Sequence, residues 1–493
     1  MSDAAQVQLS LVSHTNVGKT TLARTLLGRT LGEIRDAPHV TALAEAHAMI
    51  ETPEGDALTL WDTPGFGDSR RLAQRLERSG SPIGWFLSQV WDRWRDRPFW
   101  SSQQAMRNVR DHADVVLYLV NAAENPGDAG YVEPEMQILD WIGKPAIVLL
   151  NQVGAPRPRA DEAAEEARWR SHLGGRGIVR AVLTLDAFAR CWVQEFTLLA
   201  AIADALPDGK WPAFERLRSA WRARRLATFD AATAELAAQL ARAACDREPV
   251  ADRGVGAVLR EFGAALGIGR EGAPTPKEIA MQRLAERLDA DVRSTTDRLI
   301  ELHELEGRAA AEVLARLADD FAVQTRASEG KAAVLGGLVT GALTGLKADL
   351  ATGGLTFGAG LLTGGVLGAL GAAGIARGYN LVRGAKESAV RWSDEFLDGF
   401  FASALLRYLA VAHYGRGRGE WAQGEHPAFW KDAVAEIVIT RRDTLHLIWA
   451  ERSGDCDAAR LGVALRGELA AAASDLLGRL YPDAALVLRG PPT

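Results

Sequence analysis

The sharpest chemistry lies in eight consecutive residues, Ser13-His14-Thr15-Asn16-Val17-Gly18-Lys19-Thr20, set directly after a strand-like apolar run and directly before a helical one. The spacing is that of a phosphate-cradling loop, G-x-x-x-x-G-K-[ST], with Ser13 in place of the first glycine. In such a loop the backbone around Asn16, Val17, Gly18, Lys19, Thr20 and Thr21 wraps phosphate oxygens at a helix N-terminus. Lys19 would reach the β and γ oxygens and the Thr20 hydroxyl would ligate Mg²⁺, while Gly18 leaves room for close approach. A second cluster, Trp61-Asp62-Thr63-Pro64-Gly65, ends another strand-like run, with Asp62 43 residues past Lys19. A carboxylate at a neighbouring strand end suits Mg²⁺, directly or through water. Gly65 can offer its N–H to a γ-phosphate. Alone, D-T-P-G is a common turn; paired with the phosphate loop it becomes part of a nucleotide site.

Such loops need a sheet behind them. Residues 7–207 alternate short β-type runs (7–12, 58–61, 115–121, 146–151, 178–185) with helical stretches (20–27, 133–142, 160–172, 194–206), the pattern of a mostly parallel α/β sheet with flanking helices. Residues 69–112, with Trp85, Trp91, Trp94 and Trp100, read as a helical insertion, either a relay for nucleotide state or simply core. After Pro207 the strand signal nearly vanishes. Residues 208–493 read as a large all-α domain, broken near 248–249 and 272–276, with 279–321 as a long helix or hairpin and amphipathic helix again over 378–484.

The pair of motifs resembles the Era-like branch of the P-loop GTPases, over residues 7–207. The resemblance implies a Ras-like P-loop NTPase domain that binds GTP and GDP with Mg²⁺, and two switch segments, one after the first helix and one after D-T-P-G. Thr41, 21 residues before Asp62, fits the switch I threonine that completes the Mg²⁺ shell, beside Thr20 and Asp62. Hydrolysis would then rest on Lys19, Thr41 and Gly65. Phe66 stands where Ras-type enzymes place the glutamine that orients the attacking water, and a phenyl ring cannot do this. Asn16 occupies the place of an asparagine that helps bind an activating K⁺ in several relatives, which implies slow, K⁺-stimulated turnover and dimerisation across the switch face. Arg70 or Arg71 acting as a charge-stabilising finger is the alternative to solvated helix charges. The base-reading motif N-K-x-D is degenerate: Asn151 is kept, Gln152 replaces Lys, and Gly154 replaces the carboxylate that reads guanine. Asp186, in the next loop, could replace that carboxylate or cap the following helix. GTP is the expected nucleotide, with ATP or mixed specificity as the alternative. The overall layout also resembles a bacterial family in which an Era-like G domain is fused to a Gly-rich helical domain of unknown function.

That glycine excess is local: 13 of the 45 residues in 332–376 are Gly, many four apart (Gly337, Gly341, Gly345; Gly360, Gly364, Gly368). Such spacing makes a groove for close helix packing. The tract reads either as a hairpin that contacts or enters membrane lipid, or as a buried soluble hairpin. The basic stretch 221–225 offers either a lipid- or nucleic-acid-binding patch or a solvated helix face.

Over 493 residues the chain carries 57 Lys+Arg against 63 Asp+Glu, a net charge of −6 that argues against a general nucleic-acid binder. Cys191, Cys245 and Cys456 are too few and too far apart to write a disulfide or zinc framework. With no secretory start, the expected setting is cytoplasmic, with membrane association depending on 332–376. The competing classes are a switch GTPase, a non-hydrolysing scaffold and a dynamin-like membrane remodeller.

Overall fold

The computed structural model describes residues 4–28, 44–78, 82–88, 96–154, 157–173, 175–187, 190–250, 276–305, 379–383, 388–414, 428–452, 456–482 and 487–488. Thr41, Trp91, Trp94, the part of 279–321 beyond 305 and the glycine tract 332–376 lie outside them.

Six strands form the first sheet, in the order β2-β3-β1-β4-β5-β6: β1 (Gln6–Ser13), β2 (Glu45–Glu51), β3 (Ala57–Asp62), β4 (Val115–Asn121), β5 (Ala146–Asn151) and β6 (Val179–Thr184). All neighbours pair parallel except β2, which runs antiparallel along β3. The two central sequences, VVLYLVN and AIVLLN, are apolar almost without interruption because helices cover both faces of the sheet. The edge strand β2, EAHAMIE, mixes charge with alanine and leaves most of its residues partly or fully exposed, so its composition carries little strand signal. Around the sheet lie α1 (Lys19–Leu27), α2 (Ser69–Leu76), α3 (Pro82–Ser88), α4 (Arg97–Asp111), α5 (Val132–Ile142), α6 (Arg159–Leu173) and α7 (Gln194–Ala205). The expected insertion is helical, formed by α2 to α4. One apolar cluster joins it to the sheet, with Phe66, Phe99, Met106, Tyr118 and Met136 buried together.

By contact, the chain forms two compact units. The first comprises Met1–Thr228 with Ala412–Phe429 and Leu477–Thr493; the second comprises Phe229–Val411 and Trp430–Leu476. Within the first, the start of α8 (Trp211–Cys245) is tied down by Arg216 on the buried Asp56 at 2.6 Å, and just ahead of it Lys210 reaches Asp114. The basic stretch 221–225 is also engaged there. Trp221 is buried and donates to Glu195, Arg225 pairs with the same carboxylate and lies over the Trp221 ring, and Arg222 donates to the Val487 carbonyl. This overturns its reading as a lipid or nucleic-acid patch: the aromatic ring and two of the arginines serve internal packing.

The second unit contains α9 (Pro276–Leu302), α10 (Asp394–Ala412, to Val411), α11 (Ala428–Ala450) and α12 (Ala458–Leu480) for the parts that fall in it. It is not all helix. A three-stranded antiparallel sheet, β7 (Arg247–Val250), β9 (Ser388–Trp392) and β8 (Tyr379–Arg383), sits where a helical break and an amphipathic helix were expected. Four- and five-residue strands carry too little periodicity to announce themselves, and Pro249 belongs to an edge strand, where proline is tolerated. Trp392, Phe396 and Phe400 stack in series, and the fully buried Arg407 lies over Phe400 and donates to Gln239. Cys245 and Cys456 form a disulfide across 211 residues of sequence. The expectation of no disulfide is thereby corrected, since the pairing depends on α8 and the start of α12 meeting in space. Cys191 is a free, buried thiol whose pKa burial pushes up to about 12.

Candidate nucleotide site

Parallel pairing brings the C-terminal ends of β1, β3, β4 and β5 to one edge of the sheet, where ligands bind in open α/β folds. The phosphate loop leaves β1 at Ser13 and enters α1 through two left-handed residues, Asn16 (φ 67°) and Gly18 (φ 97°). Asparagine tolerates this conformation, whereas Gly18 is required on a second ground: a Cβ there would stand 2.7 Å from the Asn151 amide nitrogen. Asn151 in turn donates to the Val17 carbonyl at 2.7 Å and accepts from Ala187 N at 2.9 Å, tying the loop to both base-side turns.

Lys19 is buried, and its ammonium donates to Ser13 Oγ at 3.0 Å. Burial pushes its pKa down, against the opposing pull of Asp62 and Glu135. Thr20 Oγ1 donates to Asp62 Oδ2 at 2.7 Å, while Asp62 Oδ1 is buried without a hydrogen-bond partner. Burial raises the Asp62 pKa, opposed by Lys19 and the Thr20 hydroxyl. An orphaned carboxylate oxygen beside a threonine hydroxyl is a hard-oxygen donor set that fits Mg²⁺. The residues that would hold the ion are Thr20 and Asp62. Thr21 is buried within α1, and its carbonyl accepts from Thr25.

Gly65 lies against the loop: a Cβ on it would be 3.0 Å from Thr15 Cα and 3.1 Å from Lys19 Nζ. Next to it, Phe66 N donates to Ser13 O at 2.9 Å and the phenyl ring is fully buried in the core. Phe66 is therefore a core residue that cannot meet a water. Neither candidate arginine finger is idle. Arg70 Nε donates to Gly130 O at 3.1 Å, and Arg71 sits over the Phe99 ring. His14 does not extend freely toward the site either, being stacked on Tyr131 and bonded to Glu135.

On the base side, Gln152 (φ 60°) and Gly154 (φ 84°) form a left-handed turn, and no atom of the described residues lies within 4 Å of where a Gly154 Cβ would be. Val153 N donates to Asp186 Oδ2 at 2.8 Å, which places the Asp186 carboxylate beside the degenerate motif. The residues that the motifs do not point to are Glu135, Ser69, Tyr118 and Ser102, which bond to one another or to the segment after Gly65. A readable signal exists for Glu135, a charge on the face of α5 that carries Val132, Met136 and Leu139.

The sheet order, the glycine-dependent loop and the Thr20–Asp62 pair define a P-loop GTPase domain, and the profile of the 50S ribosome-binding GTPase family matches residues 8–152. Residues 175–451, more than half of the chain, match a domain of unknown function, DUF3482, and the chain belongs to that family. It is thus a GTP-binding domain joined to a largely helical region. Two solved structures of Era are similar to it. One is Era in complex with MgGDPNP and nucleotides 1506-1542 of 16S ribosomal RNA, at 18% identity over 42% of this chain and 58% of that one, with a TM-score of 0.31. The other is a variant of Aquifex aeolicus Era bound to GDP·AlF4⁻, at 18% identity over 41% and 57%, with a TM-score of 0.28. The chain thus spans somewhat more than half the length of these Era chains. No curated protein sequence matches it.

Proposed function

We propose that the protein binds GTP with Mg²⁺, hydrolyses it slowly, and uses the cycle as a switch for its C-terminal half. The observation that carries this reading is the Thr20–Asp62 pair beside the buried Lys19, with Gly65 set against Lys19 Nζ. Lys19 and the loop amides would bind the phosphates, Gly65 N–H would meet the γ-phosphate, and the Thr41 hydroxyl would complete the Mg²⁺ shell. Mg²⁺ would supply charge neutralisation on the phosphate oxygens. With Phe66 buried and both arginines engaged, Asn16 is the residue we assign to a K⁺ that assists turnover. The test is GTP turnover in K⁺ and in Na⁺, with and without liposomes. Lys19→Ala should abolish turnover and weaken GTP roughly 10- to 100-fold; equal rates in K⁺ and Na⁺ would remove the cation role.

For base specificity, we assign the guanine-reading carboxylate to Asp186, supported by its bond to Val153 N next to Gly154. Guanine presents N1–H and N2–H donors to a carboxylate, whereas xanthine presents a carbonyl at C2. Asp186→Asn should therefore weaken GTP about a hundredfold and strengthen XTP, a gain that simple loss of a cap would not produce. Preserved GTP affinity in this variant would withdraw the assignment.

The insertion is the proposed relay, supported by Gly67 N donating to Ser102 Oγ of α4 at 3.1 Å, directly after Phe66. The tract 332–376 is the proposed lipid-contacting segment and the switch face the proposed dimer contact; flotation of the full chain against a 332–376 deletion addresses the first. The second reading, a scaffold that binds nucleotide without hydrolysing it, is favoured by the burial of Phe66, and turnover lost in Lys19→Ala would exclude it.

A further inference from the structure

Glu135 is a fully buried carboxylate that neither phosphate nor base chemistry calls for, on the face of α5 that packs into the core. Donors from three separate segments converge on it. His14 Nδ1 of the phosphate loop is 2.7 Å from Oε1, Ser69 Oγ in the first turn of α2 is 2.5 Å from the same oxygen, and Tyr118 OH of β4 is 2.9 Å from Oε2. A carboxylate without exposure is costly unless its oxygens are satisfied, so all three bonds constrain one another. Tyr118 fixes the second oxygen, and the first then joins the phosphate loop to the segment after D-T-P-G.

We propose that Glu135 is a positioning residue that clamps switch II, the segment after D-T-P-G, against the phosphate loop and sets Gly65 in place before GTP arrives. The inference rests on the GTP-binding reading above. Two tie points follow Gly65 directly: Phe66 N on Ser13 O one residue on, and Ser69 on Glu135 four residues on. With both held, Gly65 stays against Thr15 and Lys19. A segment ordered in advance pays less on binding. GDP has no group that reaches Gly65, so the gain falls on GTP alone. The anchor therefore sets a ratio of affinities, since a ligand shifts an equilibrium only by its differential interaction with the two states.

The experiment uses the full chain with Ser69→Ala, Ser69→Thr and Glu135→Gln. Affinities for GDP and for a non-hydrolysable GTP analogue are measured, together with amide hydrogen exchange over residues 65–72 without nucleotide. Ser69→Ala should weaken the GTP analogue roughly tenfold, the scale of one hydrogen bond to a charged group, and leave GDP within about twofold. Ser69→Thr should restore the native ratio, and the Phe66 and Gly67 amides should exchange faster in Ser69→Ala. Glu135→Gln should reproduce the loss; if it fails to fold, Ser69→Ala decides. Equal loss of both nucleotides, or an unchanged ratio, overturns the proposal. If the native chain binds neither nucleotide, the proposed function falls by itself, and exchange in Ser69→Ala then decides the clamp: faster exchange supports it, unchanged exchange overturns it.

Discussion

Glu162 on α6 shows how a single residue records its surroundings. Its carboxyl is pushed up to about 7, first by burial and then by the nearby Glu166, with Arg159 and Arg157 pulling the other way. The unfolded value is near 4.5, so the folded chain holds more protons between pH 4.5 and 7. Stability therefore falls as pH rises through that window and levels off above it. Glu162→Gln removes the titration, so its melting temperature should exceed the native value at pH 8 and the advantage should vanish by pH 4.5, as thermal melts across pH would record. At the same scale, the strand–loop–helix around Gly18, Lys19 and Thr20 was legible, because its glycine and its flanking apolar runs mark it without help from distant parts of the fold. The roles of His14 and Phe66 were not. Both look toward α5 and the core, and only the packed structure says so.

At the scale of elements, the parallel strands were legible because burial on both faces forces them to be apolar throughout. The edge strand β2 and the three short strands of the second sheet were missed, since an exposed edge or a four-residue strand leaves no pattern to read. The insertion was recognised as helical, but its junction with switch II is a matter of contact. Gly67 sits so close to α4 that a Cβ would fall 2.5 Å from Pro98 Cβ and 2.6 Å from Pro98 Cα. Gly67→Ala should thus push the two segments apart and destabilise the chain by about 1–3 kcal/mol in denaturant melts. Ser102→Ala, which removes the acceptor of the Gly67 N–H together with the donor to the Pro98 carbonyl, should cost about 1–2 kcal/mol. A larger loss from Ser102→Ala than from Gly67→Ala would mean that the hydrogen bond, and not close packing, holds the junction.

For the whole molecule, composition described an ordinary acidic globular protein and could say nothing of chain pairing across hundreds of residues. The Cys245–Cys456 bond joins two points of the second unit that lie 211 residues apart in sequence. Cys245→Ser should lower the stability of that unit by about 2–4 kcal/mol. Alkylation of the native chain without reductant should label none of the three cysteines, because Cys191 is buried with its thiol pushed up to about 12. Labelling of Cys245 or Cys456 under those conditions would show the pair to be open.

The first unit is assembled from the beginning of the chain and from two late segments, and this has a consequence for its synthesis. Arg190 N donates to the His413 carbonyl, His413 pairs with Tyr481, and Arg222 donates to Val487. At roughly 5–20 residues per second, the ribosome would deliver Val487 some 10–50 seconds after Arg222. During that interval the nucleotide-binding sheet is already made, while its late-arriving partners are not. A nascent chain stalled before residue 412 should therefore be cut by protease near Arg190 and Arg222, at sites closed in the finished protein. The two late segments fasten a unit whose phosphate loop is synthesised within its first twenty residues.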